Sequence, residues 1–154
     1  MKLRPKLVSE RRTFLMVSIL GILGLLFSCV LNAQAPDVIA RDAWARVPLP
    51  SKTETALYVV VENHSSQRRT IVSVSSDSAA AAQMHQMTMV KMTMVMTPIS
   101  QVAIPARGKT SFNPNGMHIM LYGLKSRPSP GDTVHATLKL DDGTTVPVEA
   151  TVRK

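Results

Sequence analysis

Two histidines and a dense group of methionines stand out between residues 84 and 120. The chain contains ten methionines, and eight of them fall inside this window. A hydrophobic core that used methionine only to fill gaps would scatter it among Leu, Ile and Val. Thioether sulfur and neutral imidazole are ligands that suit monovalent copper. Four residues therefore carry the hypothesis of a soft-metal site: His85, Met96, His118 and Met120.

The segment His118-Ile119-Met120 has the clearest local geometry. Residues i and i+2 of a β-strand point to the same face, so His118 and Met120 are expected to lie together on one side. Ile119 would then face the other side, with the apolar neighbours Met117 and Leu121. This alternation predicts a strand that presents two soft ligands while its opposite face anchors it in a core.

A second pattern runs from residue 84 to residue 96, where methionine recurs at about every second position. A two-residue turn at Val90-Lys91 would pair His85 with Met96 and produce a ladder of methionines on one face. A flexible surface loop without metal binding is the alternative interpretation. The candidate accessory ligands in this stretch are Met84, Met87, Met89, Met92 and Met94.

The N-terminal 35 residues have the composition of an export signal. Five basic residues and one acidic residue precede an apolar run from Phe14 to Leu31. This order is typical of a secretory leader. Cleavage after Ala35, lipidation at Cys29 and retention as a membrane anchor are the three alternatives. Each places residues 36–154, the predicted copper-binding domain, outside the cytoplasm.

Composition excludes several functional classes for residues 36–154. The net charge of the whole chain is +8, but about half of it belongs to the leader, and the domain offers few aromatic residues for stacking on bases, so a nucleic-acid partner is not expected. The only cysteine is Cys29. The domain is therefore expected to lack disulfides and thiolate metal ligands.

The remaining sequence predicts an all-β domain. Short apolar stretches alternate with turn signals; Thr55–Glu62 is expected to be a buried strand, and Asp141-Asp142-Gly143-Thr144 is expected to join two strands as a hairpin turn. Only Ala79 to Ala82 has a briefly helical composition. Regular strands without a long helix favour an antiparallel β-sandwich.

The spacing of the four candidate ligands resembles the motif of the PCuAC-type periplasmic copper chaperones. In this pattern a histidine is followed after ten residues by a methionine, and after twenty-one more by His-x-Met, as in His85, Met96 and His118-Ile119-Met120. The flanking segments Ala43–Arg46 and Gly116–Leu121 agree as well. The resemblance covers about residues 38 to 152.

This resemblance implies a cupredoxin-like Greek-key sandwich that binds one Cu(I) through His85, Met96, His118 and Met120. It also implies a metallochaperone, a function without turnover. The leader adds the expected location, the periplasm or the outer face of the cytoplasmic membrane, and the protein is expected to be a monomer. The implied partners are the copper-site subunit of a respiratory haem–copper oxidase and a thiol-bearing copper chaperone. Membrane contact is expected only through an uncleaved or lipidated leader.

Three other functions compete with this interpretation. Copper redox chemistry is disfavoured, because a blue-copper site needs a cysteine thiolate. A structural domain whose methionines scavenge oxidants gives no reason for the His-x-Met strand. Copper storage or detoxification would use the methionine-rich stretch as extra sites, and would be recognised by the binding of several ions.

Overall fold

The computed structural model describes residues 36–154, which form an all-β domain of ten strands. The strands are β1 (Val38–Arg46), β2 (Glu54–Asn63), β3 (Arg69–Ser75), β4 (Ala79–Val90), β5 (Thr93–Pro98), β6 (Val102–Ile104), β7 (Gly108–Phe112), β8 (Met117–Leu124), β9 (Thr133–Leu140) and β10 (Thr145–Arg153). No helix within this range is long and apolar enough to cross a membrane.

The strands hydrogen-bond in the order β5-β4-β8-β2-β1-β10-β9-β3-β6, and β7 pairs with β2 outside this path. All pairings are antiparallel except that of β1 with β10. β2 pairs with β8 through residues 54–57 and with β7 through residues 59–63. The predicted cupredoxin-like all-β fold is confirmed.

The core forms where the inward faces of these strands meet. In β9, Val134, Ala136, Leu138 and Leu140 are buried while most intervening residues face solvent. β2 instead buries consecutive residues, including Leu57, Tyr58 and Val59. A strand covered on both faces is expected to be apolar without alternation, and the sequence prediction for this segment is confirmed.

The alanine segment at residues 79–82 is not helical, and the sequence-based interpretation was wrong there. It opens β4 and pairs with β8, with Ala79 opposite Leu124 and Ala82 opposite Leu121. Alanine has the highest intrinsic helix propensity, but propensity is a weak determinant, and pairing with β8 overrides it here. The close approach of the two strands is possible because residue 123 is glycine: its φ is 64°, and a Cβ there would lie 3.0 Å from Ala80 Cβ.

A bulge in β1 orients the single tryptophan. The register with β2 shifts between Arg41 and Trp44, and Asp42 has a φ of 51°. A bulge inserts one extra residue into a strand and re-aims the side chains that follow. Trp44 is thereby placed directly opposite Tyr58, and the ring centroids lie 4.4 Å apart.

Candidate metal centre

The pairing of β4 with β8 brings the two predicted ligand histidines together. His85 lies directly opposite His118, and the ring centroids are 5.9 Å apart with an angle of 28° between planes. The two residues are only 7% and 4% exposed. Two histidines that are 33 positions apart in sequence therefore become neighbours because β4 and β8 are adjacent.

The two predicted methionine ligands lie on the same side of the sheet as this histidine pair. Met120 follows His118 by two positions and lies opposite Gln83. Met96 lies on β5 opposite Met87, so it is diagonal to His85, which is two positions along β4. Directly opposed residues share a face of a sheet, as do residues two apart. Three adjacent strands thus supply the four side chains.

The register of the β4–β5 hairpin differs from the predicted one. The two-residue turn consists of Lys91 and Met92, and Val90 pairs with Thr93. Met96 therefore lies opposite Met87, and His85 lies opposite Pro98. The turn residues have φ values of 46° and 64°. A β-branched residue resists positive φ, so Val90 stays in the strand and the turn moves one position along the chain.

A site that passes its metal to an incoming donor is expected near the surface, which predicts partial exposure of His85, Met96 and Met120. Met96 is 44% exposed and Met120 is partly buried, so the prediction is correct for these two. It is wrong for His85, which is buried between β5 and β8. Its position on an inner strand, flanked on both sides, accounts for the difference.

The accessory candidates divide into three groups. Met87, Met89 and Met94 share the face of His85. Met92 lies in the turn and is 94% exposed. Met84 is buried in the hydrophobic core, on the opposite face from His85 because it is the adjacent residue of the same strand. Its proposed accessory role is therefore corrected: this methionine packs in the core.

Two polar side chains beside His85 were not foreseen. The hydroxyl of Tyr122 and Oε1 of Gln83 each lie 3.4 Å from Nε2 of His85. Both positions were accessible to sequence reasoning, because Tyr122 is two residues beyond Met120 and Gln83 is two residues before His85. Sequence reasoning could not have found the pairing of β4 with β8, which places both side chains beside Nε2 of His85.

Hydrogen bonds indicate which ring nitrogens are free to bind a metal. Nδ1 of His118 lies 3.2 Å from the carbonyl oxygen of Gly116. Because only a protonated nitrogen donates to a carbonyl, this contact leaves Nε2 of His118 with its lone pair. In His85 the polar contacts are at Nε2, and Nδ1 is buried without a hydrogen-bond partner. An unpartnered buried nitrogen is costly unless a ligand satisfies it.

Burial favours the neutral form of His85 at a position where a soft metal needs a neutral donor. Burial lowers the pKa of His85 below its usual 6.5, and the neighbouring His118 lowers this pKa further by electrostatic repulsion. A neutral imidazole keeps the lone pair that binds a metal. Together with thioethers on the same face, the donor set fits a soft monovalent ion.

An aromatic pair closes one side of this face. Tyr58 is buried, and its ring centroid lies 6.5 Å from that of His118. Trp44 packs against Tyr58. A tryptophan ring next to the metal position would shield it from water; here the ring paired with His118 is Tyr58, and Trp44 contacts Tyr58. The chain's two remaining histidines are both exposed: His64 follows the end of β2, and His135 lies in β9.

A β domain that collects two imidazoles and two thioethers on one face defines a class of soft-metal-binding domains. The chain belongs to the family described as "Putative lipoprotein LpqE-like", whose family model matches residues 38–152. The "Putative lipoprotein Lxx21020" of Leifsonia xyli subsp. xyli is 30% identical over 149 residues, which cover 93% of this chain and 89% of the relative.

Two solved copper-bound structures are similar to this chain. DR1885 from Deinococcus radiodurans, solved in solution with Cu(I), is 36% identical, with a TM-score of 0.58 over 80% of this chain and 83% of that protein. A copper-bound PCuAC domain from PmoF2 is 20% identical and shares the fold, with a TM-score of 0.64 over 78% of this chain and 95% of that domain. The PCuAC-type resemblance predicted from the motif is confirmed.

Proposed function

We propose that this protein is an extracytoplasmic Cu(I) metallochaperone that binds one copper ion through His85, Met96, His118 and Met120. The observation that carries the proposal is the direct opposition of His85 and His118 on β4 and β8, with Met120 and Met96 on the same face. The Cu(I)-bound state of the 36%-identical DR1885 supports the choice of metal.

The donor set suits binding followed by release. Two imidazoles and two thioethers are neutral, so the bound ion keeps its single positive charge. Thioethers do not form disulfides, which suits an oxidising compartment where paired thiolates would be at risk. Met96 and Met120 are the more exposed of the four ligands. An incoming donor can therefore displace the thioethers first, while the buried histidines still hold the ion.

The proposed recipient is the copper-site subunit of a respiratory haem–copper oxidase, with a thiol-bearing copper chaperone acting alongside. A thiolate is a stronger donor for Cu(I) than a thioether, so transfer from this site to cysteine ligands is downhill. The proposed location is the periplasm or the outer face of the cytoplasmic membrane, in line with the lipoprotein names of the family and of its relative in Leifsonia xyli. No catalytic turnover is part of the proposal.

A Cu(I) titration tests the ligand set. The full-length chain carrying Cys29→Ser, in detergent and without oxygen, is titrated against a competing Cu(I) chelator. The four-ligand site gives one tight equivalent that is lost in the Met96→Leu, Met120→Leu double variant and in His118→Ala. The matched control is His135→Ala, which removes an exposed histidine of β9 and leaves the tight equivalent unchanged.

Copper binding that survives in the double variant would refute the ligand assignment. Transfer is then measured by mixing the loaded chain with the metal-free soluble copper domain of an oxidase subunit and following the copper on each after separation. Retention of copper by the chaperone, in the presence of reduced cysteine acceptors, would contradict delivery and favour storage. The exposed methionines of the β4–β5 hairpin are the feature that favours storage as the second candidate.

A further inference from the structure

The β4–β5 hairpin sorts its side chains by chemistry. Beyond His85, one face carries Met87 and Met89 from β4 and Met94 and Met96 from β5. The opposite face carries only threonine and valine after Gln86: Thr88, Val90, Thr93, Val95 and Thr97. The β-branched residues supply strand propensity. All four thioethers of the paired strands are thereby collected on the face that continues from the histidine pair.

These methionines lie outside the hydrophobic core, and only Met87 is partly buried. Met89 is 66% exposed and Met94 is 46% exposed, and every residue of β5 is exposed. β4 pairs with β8 only as far as Gln86 opposite Met117, so the outer hairpin has no further strand beside it. Exposed thioethers outside a core contribute little to stability, and their clustering calls for a ligand or a partner.

The register places the sulfurs within reach of one another. Met87 lies opposite Met96, and Met89 lies opposite Met94. Directly opposed residues have Cβ atoms about 4.5–5.5 Å apart, and three rotatable bonds let each methionine sulfur turn towards a common point. Lys91 is the only charged residue from 79 to 106, so hard cations find no carboxylate here.

We propose that Met87, Met89 and Met94 form a second Cu(I) position on this face, next to the first. The inference rests on the proposed Cu(I) function of His85 and His118, and it adds a capture position on the exposed arm. Met96, which lies opposite Met87 and diagonal to His85, connects the two positions. Movement from the second position to the first releases the three hairpin thioethers and replaces them with Met96, Met120 and the two imidazoles; copper stays monovalent, and no electron is transferred.

The second position binds more weakly than the first. It has three thioethers and no imidazole, and a second cation is repelled by the first. The structure also separates these three methionines from two others of the segment. Met84 is buried in the core, and Met92 occupies the turn with no strand residue opposite it.

The test counts Cu(I) bound by the full-length chain carrying Cys29→Ser, in detergent and under anaerobic competition with a chelator. We expect two equivalents, of which the weaker is lost in the Met87→Leu, Met89→Leu, Met94→Leu triple variant while the tighter remains. Leucine keeps the size and removes the sulfur. Met92→Leu is the matched control, because it removes a hairpin thioether outside the proposed site and should retain both equivalents. Methyl NMR of the methionines should shift Met87, Met89 and Met94 in the second half of the titration.

The outcomes separate this inference from the proposed function. A single equivalent that is lost in His118→Ala overturns the second position and leaves the first intact. A single equivalent that is lost only in the triple variant overturns the histidine site and places copper on the hairpin alone. Loss of the weaker equivalent in Met92→Leu overturns the assignment to this face. Folding of the triple variant is checked by circular dichroism. The methyl NMR shifts of the methionines, recorded on the chain without the triple substitution, test the second position independently of any variant.

Discussion

Two hairpins of this domain have the same alternation and opposite uses. β9 and β10 direct Val134, Leu138, Val148 and Val152 into the core and most of the intervening residues to solvent. Outer β4 and β5 also alternate, but there both faces are largely exposed, and one is lined with methionine. Alternation alone therefore identifies a strand without revealing its role. The kind of side chain on each face, and whether another layer covers it, decides between stability and chemistry.

The largest expected difference is in stability. Leu138 is fully buried in β9, and Leu138→Ala should lower the free energy of unfolding by about 2–5 kcal/mol through lost burial and a cavity. Met94→Ala in β5 should change it by less than about 0.5 kcal/mol, as is typical of exposed positions. Urea denaturation of both variants measures the contrast. Similar losses in both would show that the outer hairpin is packed against something in solution.

The second expectation concerns Tyr122, the β8 residue whose hydroxyl lies beside His85. Tyr122→Phe removes the hydroxyl beside Nε2 of His85 and should weaken Cu(I) binding by about tenfold, since outer-shell partners orient ligating imidazoles. Chelator competition measures the affinity. The unfolding free energy of the same variant, measured without metal, distinguishes loss of orientation from loss of packing. Unchanged affinity would mean that the hydroxyl does not position the ring.

The third expectation concerns the two turns. The β9–β10 turn places Gly143 at a φ of 85°, whereas the β4–β5 turn places Lys91 and Met92 at 46° and 64°. A residue with a Cβ is strained in this conformation by about 1–2 kcal/mol. Met92→Gly should therefore stabilise the domain by up to about 1 kcal/mol, provided that the hairpin unfolds together with the core. A thermal melt measures the change, and Gly143→Ala, with the opposite expected sign, is the control.

The smallest expected effect is a pH dependence. The pKa of folded His85 is below 6.5, so between that pKa and 6.5 the unfolded chain binds more protons than the folded one. The stability of the metal-free domain should therefore decrease as the pH falls through 6.5, and this contribution should level off below the folded pKa. Denaturation at several pH values above 4.5 measures it, and His85→Gln should flatten the curve. An equal slope in the variant would contradict the assignment.

The β9–β10 turn provides the contrasting pH behaviour. Hydrogen bonds from Thr144 lower the pKa of Asp142 below 3.8. Its stabilising contribution is therefore present above 3.8 and is lost as the pH falls below that value. The two hairpins respond to acid in separate windows, which is why the His85 measurement is confined to pH above 4.5.

Much of the fold was predictable, because strand alternation and turn signals are local. The buried β2 and the β9–β10 hairpin with its Asp-Gly turn were both identified in sequence. The segment Ala79–Ala82 was misread because its strand identity comes from pairing with β8, a partner forty residues away. Local propensity contains no information about such a partner.

The candidate site was predictable in its residue types and faces, but not in its register. A hairpin register that slips by two residues keeps every side chain on the same face, so the alternation of methionines could not distinguish Met96 opposite His85 from Met96 opposite Met87. The reluctance of Val90 to adopt positive φ was the signal that selects the observed turn. The opposition of His85 to His118, and the hydroxyl of Tyr122 between strands, required the three-dimensional pairing.

The stacking of Trp44 on Tyr58 gives this domain a built-in optical reporter. The chain has one tryptophan, so its intrinsic emission comes from a single place, next to the aromatic ring that lies beside His118. An ion arriving at the histidine pair changes the surroundings of that ring. An ion held at Met89 and Met94 lies on the far side of β4 from β8. Fluorescence therefore distinguishes the two proposed copper positions without any label.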